Sequence, residues 1–176
     1  MFWLKLIRDI LKIFREGENP KQVALGFALG SIVGLSPSFN LQGIIVWILI
    51  LILNVNMGAA VLGFTLFGLI AFLFDPLFHQ FGFFLLTKLN FLFGTYTTMY
   101  NAPVAPLSKF NNTVVLGSFV SALILFVPVY LGMKYFVIEY RKHIGAKVQK
   151  WKIYQVINKS AMVRWYVKVR DLGGLR

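Results

Sequence analysis

Charged residues vanish from long stretches of this chain, and the pattern of what replaces them predicts its elements. Between Lys21 and Asp75 there are 53 consecutive residues without Asp, Glu, Lys or Arg, and between Lys109 and Lys134 there are 24 more. Helices of a soluble protein carry a charged face, whereas a membrane span needs about 20 apolar residues without charge. Both stretches fit the second description. An all-α integral membrane protein is therefore expected.

Residues 2–16 differ from the rest. Lys5, Arg8, Asp9, Lys12, Arg15 and Glu16 recur at steps of three and four, with Phe2, Trp3, Leu6, Ile7, Ile10 and Phe14 between them. This predicts an amphipathic helix lying in the headgroup plane, or one packed on the protein's own cytoplasmic side. Gly17 ends it. Asn19-Pro20 then opens a second helix as N-cap and first helical residue, which runs to about Leu35. Ser36-Pro37-Ser38 breaks it. A further apolar arm follows from Phe39 to Leu53, closed by Asn54 and Asn56.

Each arm of about 15 residues makes roughly 22 Å of helix, against a hydrocarbon core of about 30 Å. A re-entrant hairpin over 20–54, with its tip inside the membrane, is the economical solution; two full spans are the competing one. Gly26, Gly30 and Gly34 mark one face of the first arm, a spacing that lets helix backbones approach closely, and Gly43 is the candidate to face them.

Three further apolar segments are expected. One covers 57–74; Asp75-Pro76 interrupts it, and 77–94 continues with Lys88 inside. After a polar connection over 95–112, residues 113–138 form a span with Pro128 as a kink. The chain thus divides into an interfacial helix (1–17), a membrane domain (18–138) and a basic tail (139–176). Within the tail, Ile144, Val148, Trp151, Tyr154, Ile157 and Ala161 trace a helical stripe. Residues 163–170 alternate with period two, the pattern of a strand seeking a partner's sheet edge or a second copy; a continued helix or a disordered basic end is the alternative.

Charge sets the orientation. The net charge is +12, and residues 139–176 hold ten Lys or Arg against Glu139 and Asp171. Basic flanks beside apolar spans place both termini in the cytoplasm and the 95–112 connection outside. The same tail without a nucleic-acid motif gives no reason to expect nucleic acid as a partner. The chain has no Cys, so disulfides and Cys-based metal sites are excluded. The first 16 residues hold no continuous apolar run, and no cleavable signal peptide is expected.

The stretch from Pro20 to Ser31 (PKQVALGFALGS), Leu35-Ser36-Pro37, Asn40-Leu41-Gln42 and Asn54-Val55-Asn56 together resemble the bacterial domain-of-unknown-function family 2062, over roughly residues 18–138. The likeness is greatest to a short branch in Gram-negative bacteria. Some relatives are joined to glycosyltransferase domains that use lipid-linked sugars, and the short branch tends to accompany a large envelope protein. The resemblance thus implies handling of envelope lipid in the inner membrane.

Two groups of residues are candidates for chemistry. Ser36, Pro37, Ser38, Asn40 and Gln42 gather around the hairpin tip, where the second arm begins. Free N–H groups at a helix start attract anions, so the tip is a candidate lipid-phosphate site; alternatively Ser38 or Asn40 simply caps the arm. Asp75, His79 and Gln80 form the second group, an ionisable cluster at membrane depth, unless Asp75 is only the N-cap of a helix starting at Pro76. No catalytic constellation, metal-ligand set or cofactor motif is present. The expected function is a small inner-membrane subunit, not an enzyme, that binds or passes envelope lipid with a larger envelope partner or as a homo-oligomer. A solute or proton-coupled transporter and a ligand-free structural anchor are the alternatives.

Overall fold

A computed structural model describes residues 19–36 and 40–144. The patterns over 2–16, 145–161 and 163–170 lie outside the described residues, as do Pro37 and Ser38. The described chain is helical: α1 (Pro20–Leu35), α2 (Leu41–Ile52), α3 (Met57–Thr87), α4 (Phe93–Asn101) and α5 (Thr113–Glu139), with 3-10 turns at Asn90–Leu92 and Ala105–Ser108. No strand occurs among the described residues.

Asparagine caps four of the five α-helices. Asn19 accepts from the Lys21 N–H (2.9 Å), Asn40 from Gly43 (2.8 Å), Asn56 from Ala59 (2.8 Å), and Asn112 from Val114 and Val115 (3.0 and 3.1 Å). Asn caps about as well as Asp and brings no charge into apolar surroundings, where an ion is costly. Asn56 also donates its own N–H to the Gln22 carbonyl at 3.2 Å, so the end of the α1–α2 hairpin returns to the level at which it began. Replacing Asn56 by Ala removes the cap of α3 and is expected to lower thermal stability by about 1 kcal/mol. An unchanged unfolding temperature in detergent would show that the cap contributes nothing.

The expected break at Asp75-Pro76 does not occur. Helix α3 runs through Pro76 for 31 residues, about 46 Å. Proline removes one N–H and so leaves the Phe72 carbonyl without its usual partner, but apolar helices tolerate this where neighbouring groups or local adjustment satisfy the carbonyl. Asp75 is therefore mid-helix and caps nothing. Lys88, expected inside a span, is instead the C-cap residue of α3. The connection after it is more ordered than its polar sequence implies, since α4 occupies its first half. There Tyr96 stacks on Phe110 with ring centroids 6.0 Å apart and donates to the Leu85 carbonyl at 3.4 Å. Burial pushes the Tyr96 phenol above its ordinary pKa. Pro128 likewise lies inside α5, which continues to Glu139.

Packing is inverted relative to a soluble protein. Small residues make up much of the interior, with Ala24, Ala28, Gly26, Gly30, Ala59, Ala60, Gly63, Ala71, Gly117, Ser118 and Ala122 all buried beside Leu29, Ile32, Ile50 and Phe78. Large apolar side chains point outward, among them Phe72 (85% exposed), Leu73 (78%) and Ile52 (74%). Helix α1 is buried on nearly all sides.

Its glycine face packs against α3, not against Gly43. A methyl group on Gly30 would run into the Ala60 backbone carbonyl, one on Gly26 into Asn56, and one on Gly34 would lie 2.5 Å from the Phe64 carbonyl. Gly43 instead sits beside its own cap, where an added carbon would be 3.1 Å from Asn40 Oδ1. Leu29, Ile32 and Val33 meet Val46 and Ile50 across the α1–α2 pair, and side chains of that size hold two backbones too far apart for glycine contact. A second close approach joins α3 to α5, with Gly82 against Thr113 and Gly117 against Phe78.

Two helical stretches are long and apolar enough to cross a bilayer, Met57–Thr87 and Thr113–Lys142, with mean hydropathies of 2.2 and 2.4 over their most apolar windows. A second compact unit begins at Ile138. Within it the helix loosens to a wider π turn over Tyr140–Ile144, and Lys142 Nζ pairs with Glu139 Oε1 at 3.2 Å.

Candidate functional site

The hairpin tip is a concentration of buried polar atoms without partners. Helix α1 ends at Ser36, whose N–H donates to the Ile32 carbonyl at 3.3 Å. Helix α2 begins after Asn40, only 2% exposed. Asn40 uses its Oδ1 on the Gly43 N–H, which leaves Nδ2 pointing elsewhere. Among the described residues, Asn40 Nδ2, Ser36 Oγ and Gln42 Oε1 are buried with no hydrogen-bond partner. Buried polar atoms are nearly always paired, and each exception carries a cost of about 1–3 kcal/mol. Asn40 thus caps α2, as one of the two sequence readings required, yet the cap consumes only half of its amide.

The glycine contacts fix where this tip lies along α3. Gly26 meets Asn56 and Ala60, and Gly34 meets Phe64 and Gly68, so α1 and α3 run in parallel. The Gly68 level is about 17 Å along α3 from Met57 and about 17 Å short of His79, at 1.5 Å per residue. His79 marks a polar level of its own, because its Nδ1 lies 2.6 Å from Thr113 Oγ1 at the start of α5.

Beside the tip, α1, α2 and α5 enclose a groove of about 470 Å³. Its walls are apolar: Leu29 and Ile32 from α1, Ile45 and Leu49 from α2, Phe119 and Leu123 from α5. Its polar lining residues are Gln42 and Ser108. The turn Ala105–Ser108 therefore folds back from the connection onto the first turn of α2. Ser108 Oγ donates to the Ala105 carbonyl at 2.6 Å, and Lys109 follows with φ 53°, the sole non-glycine residue at positive φ among those described. This groove was hidden from sequence analysis, since its walls come from segments 29–49, 108 and 119–126. Lys109 had a weak signal, as the lone cation between Lys88 and Lys134.

The second candidate group does not assemble. His79 turns to Thr113 and rests near Phe83 at a ring distance of 6.5 Å. Gln80 is exposed. Asp75 is half-buried, and no hydrogen bond joins it to His79 or Gln80. Among the described residues, no three His, Cys, Asp or Glu side chains converge as metal ligands would.

An uncharacterised protein of Treponema pallidum (strain Nichols) is 24% identical over 162 residues, covering 90% of this chain and 99% of that protein. No solved structure matches the chain. The profile of domain-of-unknown-function family 2062, described as an uncharacterised protein conserved in bacteria, matches residues 5–144. That is most of the chain, which belongs to this family.

Proposed function

We propose that the protein is a small inner-membrane subunit that binds envelope lipid at a re-entrant hairpin and passes it on with a larger envelope partner. The observation that carries this reading is the apolar groove with unpartnered polar atoms at its end. A lipid combines an apolar chain with a polar end and is the molecule that surrounds a membrane-embedded groove. With the Pro20 and Asn56 ends of the hairpin on the cytoplasmic side and His79–Thr113 near the outer surface, the tip comes to rest about midway across a core of about 30 Å. Non-helical backbone at that depth must be covered by protein or line a wet cavity. The exposed flanks of α2, α3 and α5 face acyl chains, and the basic tail anchors on the cytoplasmic leaflet.

Two measurements test this. Native mass spectrometry of the chain extracted from membranes is expected to show retained lipid and a retained partner; a bare protein would refute lipid binding. Single cysteines are informative because the chain has none. A cysteine at position 37 is expected to resist an impermeant reagent added from the periplasm, and rapid labelling there would replace the re-entrant hairpin by two full spans. Half-buried Asp75 beside an in-helix proline supports a second reading, a proton-coupled transporter, which its substitution distinguishes below.

A further inference from the structure

The groove is apolar along its walls and uncharged at its polar end, and the two properties together narrow what can occupy it. Among the described residues no charged side chain lines it, and its polar lining comes from Gln42 and Ser108. Gln42 Oε1 is a buried acceptor without a donor. Ser108 has committed its hydrogen to the Ala105 carbonyl, so its remaining capacity is that of an acceptor as well. This end calls for a hydrogen-bond donor. An anion would find no cation among the lining residues and would meet the negative end of the Gln42 amide. On the re-entrant reading the tip also lies midway across the hydrocarbon core, where an unpaired ion is far costlier than a hydroxyl that makes its hydrogen bond. The apolar part has dimensions too. The α2 wall runs from Leu41 to Leu49, about 12 Å, and the volume of about 470 Å³ falls within the range of about 300–1,000 Å³ usual for small-molecule pockets. Ile44 and Ile48 adjoin that wall at helical spacing and stand half-exposed, an apolar strip on which a second chain can lie. A two-chain lipid matches this pair of surfaces.

We propose that this groove seats one acyl chain of an uncharged lipid alcohol, a diacylglycerol, whose free hydroxyl donates to Gln42 Oε1. The second chain lies outside the groove, along Ile44 and Ile48. Gln42 thus supplies, at the polar end of the groove, the hydrogen bond that the hydroxyl gives up on leaving water. The inference rests on the lipid-handling reading above and adds the class of lipid.

The test uses the full chain, delipidated in detergent and titrated separately with four probes under native mass spectrometry. Dioleoylglycerol has the hydroxyl and no charge, and its methyl ether lacks the donor. Phosphatidylglycerol adds a charge, and undecaprenol carries a hydroxyl on a single polyisoprenoid chain. Dioleoylglycerol is expected to bind about fivefold tighter than its ether, the worth of one ordinary hydrogen bond, and tighter than either of the other two. Gln42→Leu removes an acceptor with no partner among the described residues and is expected to abolish the gap between dioleoylglycerol and its ether. Leu123→Trp, which fills the groove, should weaken both. Equal binding of the two, a gap that survives Gln42→Leu, indifference to Leu123→Trp, or tighter binding of phosphatidylglycerol or undecaprenol would overturn the assignment while leaving lipid handling in place. Failure of all four probes to bind would instead remove the lipid-handling reading itself.

Discussion

Replacing Gly30 by Val is expected to destabilise the protein by about 3 kcal/mol or more, the upper range for forced overpacking. The reason is the nature of the obstacle. A carbon added at Gly30 meets the Ala60 carbonyl and its Cα, and backbone cannot rotate away as a side chain can. The helices must separate along their whole contact, which also loosens Gly26 from Asn56 and Gly34 from Phe64. Gly132 provides the control, since nothing lies within 4 Å of the carbon an alanine would add. There Gly132→Ala should gain up to about 1 kcal/mol of helix propensity. Thermal unfolding of both variants in one detergent decides the matter. A Gly30→Val protein that melts with the wild type would mean that α1 and α3 are not in backbone contact.

Asp75→Leu is expected to act in the opposite direction and raise stability by about 1–3 kcal/mol. An Asp at the centre of a membrane helix disfavours insertion by about 2.5–3.5 kcal/mol; the position of Asp75 one turn before His79, toward the outer surface, and its half-burial both reduce the gain on removal. The residue is not a cap, so no capping bond is lost. Asp75→Asn should fall between the two. Stability in detergent and abundance in the membrane are the readouts, together with whatever growth or envelope phenotype deletion of the protein produces. A loss of stability would show that the carboxylate has a partner. A stable, abundant Asp75→Leu or Asp75→Asn protein that fails to complement the deletion would mean that the charge itself works, which favours proton coupling over lipid handling.

These contrasts show what the sequence made legible. The helix start at Pro20 was readable because Asn19 and Pro20 act locally, through one capping bond and one fixed dihedral; Asn56 was read as closing the arm before it, whereas it caps α3. The glycine face of α1 was readable as a contact surface, but its partner was not. Spacing tells which residues are small, and only the tertiary arrangement tells that α3 lies opposite them. Asp75-Pro76 misled for a related reason. The pair has a strong local meaning in water, and in an apolar helix of 31 residues the surrounding hydrogen bonds outweigh it. At the tip, Ser36, Asn40 and Gln42 were identifiable as polar residues amid apolar sequence. Their lack of partners was not, because a hydrogen bond that fails to form leaves no periodicity. The groove and its link to Ser108 depend on residues about 65 positions apart, beyond the reach of any pattern in a single chain.

The parallel pairing of α1 with α3 has a consequence for how the molecule is made. Helix α1 is synthesised first, yet the surface that covers its glycine face begins 30 residues later, since Gly26 awaits Asn56, Gly30 awaits Ala60 and Gly34 awaits Phe64. While the ribosome translates that interval, α1 and α2 are, among the described helices, the two available to one another. Each is short, at 16 and 12 residues, or about 24 and 18 Å, so neither satisfies the length by which a nascent segment is retained as a span. Helix α3 is the first segment that does. On the proposed membrane reading, commitment of the hairpin is thus deferred to a downstream element, and assembly runs backwards against the order of translation.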